Sequence, residues 1–245
     1  MINLNTFSIA ARCPRSGMLG VAVSTAVPAV GSICPFIKPS VGAIATQSWV
    51  NPYLGIDGLV LLEQGLSAQA CLDKLIGDDP GRTVSQLGIV DAQGRTAVHT
   101  GSDCVDWAGH KTGNQFSVQG NMLVGAATVD AMAEAAAMSE SLPLHERLML
   151  VLEAGQAAGG DKRGKQSAAL KVFNKELYAW LDIRVDEHRN PVAELRRVFE
   201  VAKQQLLPFI DGMPSRQDPI GGIPAPVTAM IMTPPPYRPG GNGGA

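Results

Sequence analysis

Strand-length apolar runs and helix-length periodic segments follow one another in blocks, and that order constrains the fold more than any motif does. Residues 6–12 and 18–25 are short apolar runs joined by Cys13-Pro14-Arg15-Ser16-Gly17, whose Pro and Gly mark a turn and hence a β-hairpin. Val41 to Thr46 reads as a buried strand that runs into Asn51-Pro52-Tyr53, where Asn can cap a helix and Pro can occupy its first turn. Leu54, Leu59, Leu61 and Leu62 continue with helical spacing, Gly65 stops that helix, and Ser67 caps a second with Ala70, Leu72, Leu75 and Ile76 on its apolar face. Strands return at 84–90 and 95–100 around the hairpin signal Asp91-Ala92-Gln93-Gly94, and 104–111 and 115–121 read as extended. Helices follow near 127–139 and 144–158, separated by Pro143, then strands at 167–173 and 179–185. The last is an amphipathic helix over 191–207 with Leu195, Val198, Phe199, Ala202 and Leu206 on one side.

A doubly wound parallel sheet needs strict strand–helix alternation, which this order lacks. Two antiparallel sheets stacked face to face, with helices outside each, bury both faces of every sheet. The expected fold is therefore α+β, a four-layer α/β/β/α sandwich over residues 1–208. Beyond Pro208 the composition shifts to Pro and Gly, with Pro234-Pro235-Pro236 and Gly240-Gly241-Asn242-Gly243-Gly244, so 209–245 reads as a flexible or partner-docked tail. Within it Val227 to Met232 is apolar enough to lie against a neighbour, and a homo-oligomer is expected.

The formal net charge of −2 and the absence of a concentrated Lys/Arg footprint argue against nucleic acid as a partner. Lys162, Arg163 and Lys165 form the densest basic stretch, in a Gly-rich turn that suits a local anion site or a solvated loop. Cys13, Cys34, Cys71 and Cys104 lie far apart without a C-x-x-C pair, so they read as buried small hydrophobes in a reducing cytoplasm. No signal-peptide pattern and no span of about 20 apolar residues occurs, which makes a membrane location unexpected. No motif demands a metal or another cofactor. H-E-x-x-H and G-x-S-x-G are missing, and the Gly-rich turn is not a phosphate-binding loop.

Four segments carry residues suited to chemistry. Thr6-Phe7-Ser8 sets two hydroxyls on one strand face. Ala45-Thr46-Gln47-Ser48 ends a buried strand before a helix start, where backbone N–H groups suit an oxyanion. Ser117-Val118-Gln119-Gly120-Asn121 carries two side-chain amides around a glycine that permits close approach. Gly159 to Ser167 offers Asp161 and Arg163 as an orienting pair. His110 is a candidate base or ligand-orienting donor, His99 reads as structural, and His145 and His188 read as solvated.

An ordered set of motifs also carries a family resemblance. It comprises Thr6 to Ala11, Gly20 to Ser24, Gly42 to Gln47, Trp107-Ala108-Gly109, Gln119-Gly120-Asn121, Ala158 to Asp161, Arg163-Gly164, Gln166 to Leu170, Arg184-Val185-Asp186 and His188. Over about residues 6–207 the chain resembles the domain-of-unknown-function 1028 family, which is grouped with the N-terminal-nucleophile hydrolase fold. The layout is also similar to a proteasome-type β-subunit, which implies cleavage of an amide or related C–N bond in a small-molecule substrate. By that resemblance Thr6 is the nucleophile, the backbone near Thr46 and Gln47 the oxyanion hole, and Asn121 and Asp161 supporting polar groups. Ser8, Ser24, Asn51, His110, Gln119, Arg163, Gln166 and Ser167 complete the expected substrate shell. In such enzymes the free α-amine of the first residue is the base, so cleavage between Asn5 and Thr6 is required. Thr25 stands where many relatives carry lysine. Without a free amine, His110 or Asp161 would have to serve as base, and the rival expectation is a non-catalytic ligand-binding or assembly domain.

Overall fold

The computed structural model describes residues 6–233. The segment before Thr6, whose removal the nucleophile reading requires, and the Pro/Gly run from Pro234 onward lie outside the described residues. The chain divides at Arg196 into two compact units. The first opens with strands β1 (Thr6–Arg12), β2 (Leu19–Thr25), β3 (Pro35–Lys38) and β4 (Gly42–Ser48), then helices α1 (Pro52–Glu63) and α2 (Ala68–Asp78). Strands β5 (Ser85–Asp91), β6 (Thr96–Thr100), β7 (Gly109–Gly113) and β8 (Phe116–Asn121) precede helices α3 (Ala126–Met138) and α4 (Leu144–Ala157). Strands β9 (Ser167–Phe173) and β10 (Leu181–Val185) follow. Helix α5 (Pro191–Gln205) spans the division, and the second unit holds α6 (Leu207–Ile210) and α7 (Ala225–Met232).

The strands form two antiparallel sheets, one of six in the order β10-β9-β2-β1-β8-β7 and one of four in the order β3-β4-β5-β6. The sheets stack, β1 and β2 lying against β4 and β5 against β8. Helices α1 and α2 pack on the four-stranded sheet, and α3 and α4 on the six-stranded one. Strand alternation explains the composition of the layers. On β1 and β2, Ala10, Leu19, Val21 and Val23 turn inward to meet Ala43, Ala45 and Val90 of the facing sheet. The opposite face of β4 and β5, with Ile44, Leu87 and Ile89, packs with Leu54, Leu62, Cys71 and Leu75 of the covering helices. Each such buried Val, Leu or Ile side chain contributes about 1.5–3 kcal/mol of transfer free energy.

Local signals position these elements. Asn51 Oδ1 accepts from Tyr53 N at 3.1 Å with Pro52 in the first turn, and Ser67 Oγ accepts from Ala70 N at 3.2 Å. Gly65, just past α1, adopts φ +96, a left-handed conformation that ends a helix without Cβ strain. Strand β3 carries no sequence signal because it is short, begins with Pro and lies at a sheet edge, where a missing N–H is tolerated. The expected strand over 104–111 is displaced to Gly109–Gly113; upstream of it the backbone bonds elsewhere, Asp103 N to Thr83 O at 2.7 Å and Met122 N to Val105 O at 2.9 Å. Two helices occur in the stretch after Leu206, each with Pro in its first turn, and α7 buries none of its residues. No described helix is long and apolar enough to cross a membrane.

All four cysteines are buried free thiols. Burial pushes the Cys71 thiol up to about 11 and raises Cys34 and Cys104 as well. Burial also opposes ionisation of Cys13, but hydrogen bonds from the Ser16 side chain and from the Ser16 and Arg15 backbone bring it below its ordinary value. Since the thiolate is the reactive form, iodoacetamide at pH ~8 is expected to modify Cys13 well before the other three, as peptide mapping of the native protein will report.

Candidate active site between the two sheets

One end of the sheet stack is polar on both inner faces. Across the six-stranded sheet Asn121, Thr6, Thr25 and Ser167 are successive register partners on β8, β1, β2 and β9. The next inward row runs His110, Gln119, Ser8 and Val23. Opposite them, Gln47, Gln86 and Thr100 are register partners on β4, β5 and β6. A period of two residues puts each row on one face, so strand pairing alone aligns polar groups that lie far apart in the chain.

These rows hydrogen-bond across the stack. Ser8 Oγ donates to Gln47 Oε1 at 2.6 Å and accepts from Gln119 Nε2 at 2.7 Å. Gln47 Nε2 donates to Thr6 O at 3.2 Å and to Gln86 Oε1 at 2.7 Å. Gln86 Oε1 also accepts from Asn121 Nδ2 at 3.1 Å, while Gln86 Nε2 reaches Gly120 O at 2.9 Å and Thr100 Oγ1 at 2.9 Å. The Thr100 hydroxyl also bonds His110 Nδ1 at 2.8 Å. Thr6 Oγ1 donates to Thr25 Oγ1 at 3.2 Å, and Thr6 is 2% exposed. Ser8, Gln47, Gln86, Gln119 and Asn121 are likewise buried. In that low-dielectric setting each bond is stronger than in water and each unmet group costs more.

The surrounding backbone is shaped to this cluster. Gly88 lies opposite the Gln119 amide, and a Cβ there would sit 2.3 Å from Gln119 Oε1. Ser48 and Met122, one residue beyond Gln47 and Asn121, have φ of 70 and 52 respectively, left-handed conformations costing about 1–3 kcal/mol each in a non-glycine residue. Gln119 Oε1 and Ser117 Oγ are buried without a hydrogen-bond partner.

A second group adjoins the row at the start of β9. Asp161 Oδ2 accepts from Ala26 N at 3.1 Å, its Oδ1 accepts from Arg163 N at 2.8 Å, and the Arg163 guanidinium lies 3.3 Å away. Asp161 also bridges to Leu123, beyond the end of β8. Ser167 Oγ donates to Val27 O at 2.6 Å and accepts from Val30 N at 3.1 Å, and Ser24 Oγ donates to Ser167 O at 3.2 Å. Gln166 N donates to Thr25 O at 2.8 Å. These groups tether the segment after β2 beside Thr25, the neighbour of Thr6.

The fold thus brings together Thr6, Ser8, Gln47, Gln119 and Asn121, links His110 to them through Thr100, and places Asp161, Arg163, Gln166, Ser24 and Ser167 at the adjoining strand ends. Asn51 and the Thr46 side chain lie elsewhere: Thr46 Oγ1 bonds Asn51 O at 3.3 Å on the helix side of β4. The Thr46 N–H donates to Cys34 O at 3.1 Å. Asn51 borders a separate cleft of about 340 Å³ between α1 and α2. The sequence reading picks out neither Gln86 nor Thr100 as a site residue, and marks Thr25 only as the position where many relatives carry lysine. Gln86 had one signal, an amide in a strand whose same-face neighbours are Gly88 and Val90. Among the described residues no three of His, Cys, Asp and Glu gather as a metal-holding group.

Partial burial of the His110 ring, with the positive field of His99, holds its pKa below the usual 6.5. The folded protein therefore binds that proton less tightly than the unfolded chain. Its contribution to stability is complete above the unfolded value and declines as pH falls from there through the folded midpoint. An NMR titration of His110 is expected to give a midpoint below that of an unfolded peptide, and Thr100→Val is expected to move it.

The site defines an α+β protein with two stacked antiparallel sheets and a buried polar cluster between them. The chain belongs to the family of unknown function DUF1028, which it matches over residues 6–195. It is similar to a DUF1028-family protein from Silicibacter pomeroyi of known crystal structure, at 28% identity and a TM-score of 0.82, covering 90% of this chain and 100% of that one. No curated protein gives a significant match.

Proposed function

We propose that this protein is a hydrolase of a small amide or related C–N substrate, with a four-layer α/β/β/α core of the N-terminal-nucleophile type. The position of Thr6 carries the proposal. It begins β1 on the inner face, between Asn121 and Thr25, with its carbonyl held by Gln47 and its hydroxyl held by Thr25. The helix pairs on the outer faces of both sheets support the layered reading.

Once the preceding residues are removed, the α-amine of Thr6 takes the proton from its own Oγ1, and Oγ1 attacks the substrate carbonyl carbon. Collapse of the tetrahedral intermediate breaks the C–N bond, and the departing nitrogen takes the proton from the amine. Water then cleaves the resulting ester, releasing the acid and restoring the hydroxyl. The Thr46 N–H serves Cys34 O and the Trp49 N–H serves Val84 O, so neither is a free donor for the oxyanion. Asp161 and Arg163 hold the β2 end against the β8 end and so keep Thr25 beside Thr6.

A second reading, a non-catalytic ligand-binding or assembly domain, is favoured by the way Ser8, Gln47 and Gln86 spend their hydrogen bonds on one another. N-terminal sequencing of purified active protein, alongside assay on a panel of amides and ureides, separates the two. Turnover by a chain beginning at Thr6 is expected; turnover with the preceding residues intact excludes the amine-activated mechanism, and no turnover by a chain that does begin at Thr6 leaves the binding domain.

A further inference from the structure

Backbone carbonyls can only accept hydrogen bonds, and three of them set the direction of the whole inter-sheet network. Gln86 Nε2 faces Gly120 O at 2.9 Å and Gly109 O at 3.2 Å, so the Gln86 carbonyl oxygen is the end turned toward Gln47 and Asn121. Gln47 must then offer Nε2, which it also gives to Thr6 O, and its Oε1 is left to accept from Ser8. Ser8, having donated, accepts from Gln119 Nε2. Asn121 in turn gives Nδ2 to Gln86 Oε1 at 3.1 Å. That bond takes one of the two Nδ2 hydrogens and fixes which way the amide faces, so Oδ1 is the acceptor Asn121 holds beside Thr6, its cross-strand neighbour. At the other end of the chain of bonds, Gln119 Oε1 is buried and unpartnered. Both ends of the network are acceptors.

We propose that Gln86 is a positioning residue that commits Asn121 to act as an acceptor, so that the site takes substrates with an N–H donor at the reacting end, primary amides and ureides in preference to fully substituted amides. The proposal rests on the Thr6 reading of the site and names its substrate class. It predicts discrimination without any contact between Gln86 and the ligand. A site that accepts from a ligand N–H leaves its acceptor unmet when the ligand lacks that hydrogen, which costs more than the missing bond alone.

The test is an NMR titration of the isotopically labelled full chain with acetamide and with N,N-dimethylacetamide, read at the Thr6 and Asn121 resonances. Acetamide is expected to bind at least about tenfold tighter. The preference should survive in Gln86→Glu, whose buried side chain in its protonated form gives its O–H to Gly120 O and still accepts from Asn121 Nδ2, and collapse in Gln86→Leu, which frees that amide to turn. A purely structural Gln86 would lower stability in both variants and leave the preference untouched. If Gln86→Leu does not fold, Asn121→Leu must erase the preference instead. Equal affinity for the two probes, no binding of either, or a preference unchanged by Gln86→Leu or by its substitute overturns the proposal. Thr6→Ala separates this outcome from the fate of the hydrolase reading, since it should abolish turnover and keep the preference.

Discussion

Replacing Gln86 with leucine is expected to lower the unfolding free energy by about 3 kcal/mol, more than removal of any hydroxyl in the cluster. The substitution preserves approximate volume but leaves the Asn121 amide and Gly120 O without the partner they have in the wild type. It also strips Gln47 Nε2 of its 2.7 Å bond and Thr100 of its 2.9 Å donor. Gln86 is fully buried, so water cannot take the vacated place cheaply. For a protein of this size a loss of that order corresponds to roughly 6–12 °C in Tm. Calorimetry of Gln86→Leu, Asn121→Leu and the double variant checks it. The double variant should be less destabilised than the sum of the singles, because one change already removes what the other would break. A Gln86→Leu protein melting within ~2 °C of wild type would mean that the inter-sheet bonds are of little consequence.

Thr6→Ala is expected to leave the fold standing and to remove turnover. Its hydroxyl makes one bond, 3.2 Å to Thr25 Oγ1, whose loss costs about 1 kcal/mol and leaves the Gln47 bond to the Thr6 carbonyl in place. If Oγ1 is the nucleophile, its removal lowers kcat by ~10³-fold or more, since no neighbouring group substitutes for the attacking atom. Thr6→Ser should restore part of the rate, since it keeps the hydroxyl and loses only a methyl group. The decisive comparison is therefore between a small shift in Tm and a large loss of kcat in one protein. A rate unchanged in Thr6→Ala would move the chemistry to His110 or Asp161, or remove it from this site altogether.

Much of the scaffold was legible because its signals are local. The Asn51-Pro52 start of α1, the Gly65 stop, the Ser67 cap and the turn between β5 and β6 each depend on groups within a few residues of one another. The block order of strands and helices pointed to two stacked antiparallel sheets, since each sheet needs both faces covered. Asn51 shows where local reading stops. Its capping role was visible, whereas its distance from Gln47 depends on β4 turning alternate side chains to opposite sides. Gln86 shows the converse, an amide with little local signal that becomes the centre of the cluster.

What the amino-acid order determined by itself is most of the helices and strands between β1 and α5, β3 excepted, and the polar parity of β1 and β8, because helix caps, turns and two-residue alternation arise from short-range sterics and hydrogen bonding. Which polar rows face each other was decided only by the tertiary structure. Ser8 meets Gln119 across 111 residues and Gln47 across 39, and Asn121 meets Gln86 across 35. Such pairings depend on strand register and on how one sheet lies over the other, where a slip of a single residue would turn every one of these side chains to the opposite face.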